Sequence, residues 1–199
     1  MGTAEIFAFV VFAVVTSITP GPNNIMLTAT GANVGIRRGL PHMFGVTFGF
    51  ALMLFLVAAG MGTPLLASPI AMRALRIAGI VVLLWLAFKI ATAGRAAGGA
   101  RERPIGFIEA AAFQWVNPKA WLICAGAVGS FLHEDASSPL PQAAFFALVF
   151  MLAGTPCMLV WLGFGAAMQR LLATDRAFRN FNIAMGLLLA ATAFYLVVI

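Results

Sequence analysis

The chain has 199 residues, of which 62% are hydrophobic and 9% charged, and its 12 Lys and Arg residues outnumber 6 Asp and Glu. Soluble domains are about 45–50% apolar and 25% charged, so this composition excludes a soluble globular domain and a disordered chain. The basic pI of about 10.7 does not indicate a nucleic-acid binder, because the cations are scattered and form no basic stripe. The composition instead predicts a polytopic helical membrane protein, in which Lys and Arg collect in cytoplasmic loops.

Six apolar segments fill most of the chain, and each is close to the roughly 20 residues that a membrane-spanning helix needs. They cover about residues 5–30, 40–62, 73–92, 105–132, 141–168 and 178–199. The first segment follows no positive region and precedes no small-residue cleavage site, so we expect a span rather than a removed signal peptide. The sequence therefore predicts an all-α fold with six transmembrane helices, forming one transmembrane domain over residues 1–199.

Positive charge is unevenly distributed between the loops. The first, third and fifth loops, together with the end of the third span, hold Arg37, Arg38, Lys89, Arg95, Arg101, Arg103, Arg170, Arg176 and Arg179. The second and fourth loops hold Arg73 and Arg76 with the acidic Glu134 and Asp135. The positive-inside rule therefore places the odd loops in the cytoplasm and both termini on the outer side.

The two halves of the chain resemble each other, since spans one and four are both interrupted near mid-length by proline beside polar residues. Three spans per half place the second half upside down relative to the first. We therefore expect two inverted three-helix repeats, over about 1–93 and about 105–199, joined by a basic cytoplasmic linker at about 94–104. Inverted repeats with helices broken at matching positions are typical of transporters, and the breaks mark the binding site.

The break in span one consists of six residues, Thr19-Pro20-Gly21-Pro22-Asn23-Asn24. Each proline removes a backbone donor and the glycine permits an unwound turn, which at membrane depth must face protein or a polar cavity. The helix that begins near Pro22 would present free N–H groups to a carboxylate. Asn23 and Asn24 can donate and accept hydrogen bonds, as an amino-acid ligand requires. The alternative is a packing kink whose asparagines bond to neighbouring helices, but two prolines and two asparagines exceed what a kink needs.

The break in span four repeats this chemistry with amides, a proline and a cation, namely Gln114, Asn117, Pro118 and Lys119. Lys119 lies about fourteen residues, or roughly 20 Å at 1.5 Å per residue, from each end of its span. Snorkelling to the interface is the alternative interpretation, but that distance exceeds the reach of the side chain. A charge at a span centre costs about 2.5–3.5 kcal/mol, so it is expected to face a cavity or a partner. We expect Lys119 to hold a substrate carboxylate or to exchange a proton.

Other polar residues give weaker indications. Glu109, near the cytoplasmic start of span four, is either a proton-coupling acid or an interfacial anion at a helix N-terminus. We expect no metal, since His42 and His133 flank loops without a second ligand, and no cofactor. Ser130 and His133 are three residues apart without an oxyanion motif, so we do not expect an enzyme.

Glycines at four-residue spacing predict close helix packing rather than a gating hinge: Gly31, Gly35 and Gly39, then Gly45 and Gly49.

These motifs resemble a known family. Thr19-Pro20-Gly21-Pro22-Asn23, followed by Gly35 and Arg37 to Gly39, strongly resembles the lysine exporter (LysE) superfamily in its RhtB branch, and residues 85–89 and 113–119 match that branch too. The resemblance covers essentially the whole chain. It implies a bacterial inner-membrane exporter of amino acids and derivatives such as homoserine, threonine, cysteine or O-acetylserine, driven by proton antiport.

We therefore predict alternating-access export of a small zwitterion across the lipid bilayer in exchange for protons, with the two breaks meeting at the midplane. A passive amino-acid channel and an intramembrane enzyme acting on a lipid-linked substrate are the alternatives, and a metal-ion exporter is disfavoured by the missing ligands. The sequence leaves the substrate and the oligomeric state open, a homo-oligomer included.

Overall fold

The computed structural model describes residues 2–93, 104–132 and 139–198, and the regular structure in these ranges is helical. In chain order it consists of α1 (Thr3–Ile18), α2 (Pro22–Leu56), a π-helical turn (Val57–Met61), α3 (Thr63–Leu66), α4 (Pro69–Thr92), α5 (Phe107–Val116), α6 (Pro118–Phe131), α7 (Pro139–Leu171) and α8 (Asp175–Val198). The predicted all-α class is thus confirmed for the described ranges. Arg95, Arg101, Arg103, His133, Glu134 and Asp135 lie outside them.

Proline sets where several of these helices begin. Pro22, Pro69 and Pro118 occupy the first position of α2, α4 and α6. The first N–H groups of a helix have no partner within the helix, so proline loses nothing there and supplies a helical φ. The prolines that break the predicted spans are therefore start signals for new helices.

The chain reverses direction at Gly35, inside α2. Gly35 has φ 78° and ψ 175°, a conformation that glycine alone adopts readily. Thr30 Oγ1 lies 2.9 Å from His42 Nδ1, whereas twelve residues of straight helix would span about 18 Å. We call residues 22–34 the first arm of α2 and residues 36–56 its second arm. The sequence predicts a loop over residues 35–39, whereas in the structure Gly35 alone leaves helical geometry and residues 36–39 belong to the second arm. The interpretation of Gly35 as a close-packing glycine is wrong, because its nearest neighbour, Gln169 Oε1, lies 3.6 Å from where a Cβ would be.

Helix length separates the described helices into two groups. Four stretches are long and apolar enough to cross a membrane: Pro22–Met61, Pro69–Thr92, Pro139–Gln169 and Asp175–Phe194. Helices α1, α5 and α6 have 16, 10 and 14 residues, which is short of the roughly 20 that one span needs. They are short because α1 ends before Pro20 and because Asn117 and Pro118 separate α5 from α6. The six-span arrangement stays a prediction, in which α1 with the first arm and α5 with α6 act as composite spans.

Glycine allows α2 to lie directly against α7. Gly31 on the first arm faces the backbone of Leu162, and Gly165 on α7 faces the backbone of Thr28. A side chain at either glycine would overlap the opposite backbone, so the two helices touch along their main chains. The predicted packing role is confirmed at Gly31.

Three further glycines serve the second arm in the same way. Gly39 faces the Leu162 side chain, and Gly45 and Gly49 face Phe107 and Ala111 of α5. On the other side of the molecule, Gly186 of α8 packs against the main chain of α4. The second arm is therefore held between α7 and α5, and this arrangement brings the two predicted breaks to the same region.

A phenylalanine cluster joins α1, the second arm and α7. The ring centroids of Phe9 and Phe146 lie 4.4 Å apart, and those of Phe50 and Phe150 also lie 4.4 Å apart. Phe9 is fully buried, and tilted ring pairs of this kind add to the stability gained from burial. The cluster fixes the position of α1 beside the two breaks.

We expect Gly165→Ala to destabilise the protein and Gly163→Ala to leave it as stable or more so. The first adds a methyl against the Thr28 carbonyl, and such overpacking typically costs about 1–3 kcal/mol. The second adds a methyl where no atom lies within 4 Å, and replacing a helical glycine by alanine gains roughly 0.5–1 kcal/mol. Thermal unfolding of both variants in one detergent measures the difference, and equal midpoints would contradict the close packing of α2 on α7.

Candidate functional site

Helical structure stops at both proline sites. Helix α1 ends at Ile18, and Gly21 precedes α2 in extended conformation. Helix α5 ends at Val116, and Asn117 is both the C-cap of α5 and the N-cap of α6. As the N-cap, its Oδ1 accepts a hydrogen bond of 3.1 Å from Lys119 N. Each interruption therefore frees backbone carbonyls at the end of one helix and N–H groups at the start of the next.

Lys119 connects the two interruptions. Its Nζ donates to the carbonyls of Thr19 at 2.7 Å and Pro20 at 3.4 Å, which follow the end of α1. A Cβ on Gly21 would lie 2.8 Å from the lysine Cδ, so glycine leaves room for the lysine stem. A cation beside the carboxyl end of a helix is stabilised by the helix dipole. An ammonium has three donors, so the third stays available to a ligand.

The asparagines and Gln114 form further bonds across the site. The amides of Asn23 and Gln114 bond reciprocally at 2.8 and 3.2 Å, and Gln114 also donates to Ala110 O at 2.9 Å. Asn24 Nδ2 donates to the carbonyls of Ser17 and Thr19, both at 3.0 Å. Asn23 thus joins the two breaks, and Asn24 caps the end of α1. Both interactions are also of the kind expected for a packing kink.

Two tryptophan indoles complete the capping, and sequence reasoning missed both. Trp161 Nε1 of α7 donates to Ile18 O at 3.2 Å, and Trp121 Nε1 of α6 donates to Trp115 O at 2.8 Å. Freed carbonyls in an apolar environment need such donors, because an unpaired backbone group at membrane depth is costly. For Trp121 the available signal was its position three residues after Pro118. Trp161 offered no such signal, because it lies 143 residues from the carbonyl of Ile18.

A cavity that is open on one side lies between the two breaks. Its empty volume is about 500 Å³ when the open space at its mouth is included. Five predicted site residues line it, namely Gly21, Asn23, Asn24, Asn117 and Lys119. Lys119 is the one charged side chain among the described residues that line it. The described lining therefore carries one formal positive charge.

The remaining lining was not predicted from the sequence. Thr16, Ser17 and Thr47 add hydroxyls, and Val46, Phe50, Ile123, Phe150, Met151 and Met158 add apolar surface. These residues belong to α1, the second arm of α2, α6 and α7. Pro156 within α7 was the available signal there, because an internal proline bends a helix and marks it as locally irregular.

The other predicted residues lie beside the cavity or away from it. Thr19 and Pro20 supply carbonyls to Lys119, and Gln114 supports Asn23, while Pro22 and Pro118 start helices.

Glu109 is separate from this group. It is exposed in the first turn of α5, and its Oε2 accepts a bond of 2.7 Å from Gly106 N. Glu109 does not belong to the cavity lining, and this geometry is that of an anion at a helix N-terminus.

Comparison with known proteins gives the family. A family model described as LysE type translocator matches residues 14–199. The chain belongs to this family. The cysteine/O-acetylserine efflux proteins of Escherichia coli (strain K12) and Shigella flexneri are each 30% identical to it over 186 residues, which is 94% of this chain and 94% of each relative. No solved structure matches.

We expect the reciprocal amide pair to stabilise the protein as a unit. Asn23→Ala and Gln114→Ala should each lower the thermal midpoint, because each leaves a polar partner without its bond. The double variant should lose clearly less than the sum, with a coupling of about 0.5–3 kcal/mol. A double-mutant cycle by thermal unfolding in detergent measures this coupling, and strict additivity would show that the two amides do not interact.

Proposed function

We propose that this LysE-family chain exports a small neutral amino acid or amino-acid derivative across a bacterial inner membrane, as a member of the RhtB branch. The supporting observation is the cavity at the two helix breaks, with one cation and no carboxylate among its described lining residues. A ligand with a carboxylate and an uncharged side chain suits such a cavity, whereas a second positive charge on the side chain would find no counter-ion. Two relatives are named cysteine/O-acetylserine efflux proteins, and the compounds in that name have a carboxylate and an uncharged side chain.

The ligand carboxylate would bind at the electropositive end of the cavity. Lys119 has a donor free after its bonds to Thr19 and Pro20, and the first turn of α2 presents backbone N–H groups. The side-chain oxygens of Asn23 and Asn117 would accept from the ligand ammonium. The ligand side chain would then lie against Phe50 and the other apolar lining residues.

Alternating access would follow from the repeats. Repeat one, at about 1–93, and repeat two, at about 105–199, would rock against each other around the breaks at the membrane midplane, with both termini outside. Protons would return inward in exchange for the substrate. Export by such a cycle requires no catalytic group, and translocator membership favours transport over the intramembrane-enzyme alternative.

We expect purified protein in liposomes to catalyse counterflow of labelled O-acetylserine or cysteine, with threonine and homoserine also tested. Lys119→Gln should lower the rate at least tenfold, because the amide keeps a neutral donor for the Thr19 carbonyl but loses the charge for the ligand carboxylate. Lys89→Gln is the matched control. Lys89 is exposed at the end of α4, where its Nζ lies 4.7 Å from the Trp85 ring centroid, so this variant should transport as the unmodified protein does.

Four outcomes would contradict the proposal. Absence of counterflow for the whole panel would exclude amino-acid export, and full activity of Lys119→Gln would exclude the site. Single-channel conductance in planar bilayers, without substrate exchange, would favour the passive-channel alternative. Lysine or arginine preferred over the neutral amino acids would contradict the reasoning from the missing carboxylate.

A further inference from the structure

One buried titratable side chain near the cavity has no role in the substrate site described above. His42 on the second arm of α2 is fully buried, and its Nδ1 lies 2.9 Å from Thr30 Oγ1 on the first arm. Its Nε2 is buried without a hydrogen-bond partner among the described residues. Buried polar atoms are nearly always bonded, so an exception in a native fold calls for a functional explanation.

The position of His42 relates it to the cavity. Residues four apart lie on the same face of a helix, so His42, Val46 and Phe50 form one stripe along the second arm. Val46 and Phe50 line the cavity. His42 lies one turn further along the same stripe, towards Gly35. Arg37 and Arg38 lie at that same end of the second arm, which the positive-inside rule places in the cytoplasm.

An apolar cluster borders the cavity. Leu27, Val46, Met158 and Leu162 pack in one cluster of buried side chains. Val46 and Met158 of this cluster also line the cavity. We call these four side chains the floor of the cavity. His42 is fully buried and does not line the cavity, so water and ligand in the cavity reach it only when this packing opens.

Among the described residues, the hydrogen-bond partner of His42 is the Thr30 hydroxyl, and no charged side chain bonds to the ring. Most charged groups described on α2 and on the elements packed around it are exposed: Arg37 and Arg38 beside the reversal, Arg73, Arg76 and Lys89 on α4, Glu109 on α5, and Asp175, Arg176 and Arg179 at the start of α8. Lys119 of α6 is partly buried and donates to Thr19 and Pro20, and the thiols of Cys124 and Cys157 are buried. An imidazolium in this position would be buried without a counter-ion, which is strongly unfavourable. The closed floor therefore requires a neutral ring, and a charged ring requires access to water.

We propose that His42 is the proton-exchanging residue of the export cycle, an inference that rests on the proposed function. In the neutral ring, Nδ1–H donates to Thr30 Oγ1 and the Nε2 lone pair is free. A proton from external water forms an N–H bond at Nε2 when the floor is open to the cavity. That bond breaks when the opposite end opens, and the proton passes to cytoplasmic water. The Thr30 bond is the same in both charge states, so it holds the ring in place throughout.

Two transport assays in liposomes distinguish this inference from the proposed function. Counterflow of labelled O-acetylserine at equal pH needs no net proton movement, whereas uptake driven by an inside-acid pH gradient does. We expect His42→Asn, whose amide can still donate to Thr30, to keep counterflow within about threefold and to lose at least tenfold in gradient-driven uptake. His133→Asn is the matched control, since the chain has two histidines, and it should keep both activities.

The outcomes separate as follows. Absence of counterflow in the unmodified protein overturns the proposed function and the inference with it. Counterflow without any response to a pH gradient overturns the inference alone, and so does gradient-driven uptake by His42→Asn equal to that of the unmodified protein.

A variant that loses both activities is resolved by nitrogen NMR of ¹⁵N-histidine in His133→Asn, where His42 is the one remaining histidine. O-Acetylserine must then shift the pH midpoint of ring protonation downward, because competing ligand and proton displace each other reciprocally. A midpoint unchanged by saturating substrate overturns the inference.

Discussion

The structure depends on satisfying the backbone carbonyls that are freed where α1 ends. The four carbonyls of residues 17–20 all receive side-chain donors, from Asn24, Trp161 and Lys119. An apolar surrounding provides no water for these groups, so the donors must come from other parts of the chain. This requirement brings α6 and α7 to the end of α1, and a cavity forms where they meet.

The same contact gives the cavity its charge. Lys119 serves the backbone and the cavity together, since two of its three donors bond to carbonyls and its side chain lines the empty space. Close glycine contacts hold the two arms of α2 beside α7 and α5, and the same two arms carry the His42–Thr30 pair and residues of the cavity lining. We therefore propose that residues of the same two arms of α2 serve both substrate binding and proton exchange.

Much of the fold was predictable because it depends on local chemistry. The apolar segments predicted helices, and the two prolines predicted where helical structure is interrupted and begins again. The residues at the breaks were found for the same reason, since amides and a lysine stand out in apolar sequence. The role of Gly35 was misassigned because four-residue glycine spacing is shared by packing glycines and by a glycine whose φ reverses the chain.

The sequence by itself determined that the chain is an α-helical membrane protein interrupted twice by proline, because composition and backbone restrictions act residue by residue. The tertiary structure decided which side chains meet at those interruptions. Trp161 caps Ile18 from 143 residues away, and Lys119 reaches Thr19 from 100 residues away. It also placed Glu109 outside the cavity and buried His42 against Thr30. Such contacts depend on how the helices turn and pack. Apolar side chains of similar hydropathy do not specify this packing, whereas glycine contacts and carbonyl capping favour one arrangement.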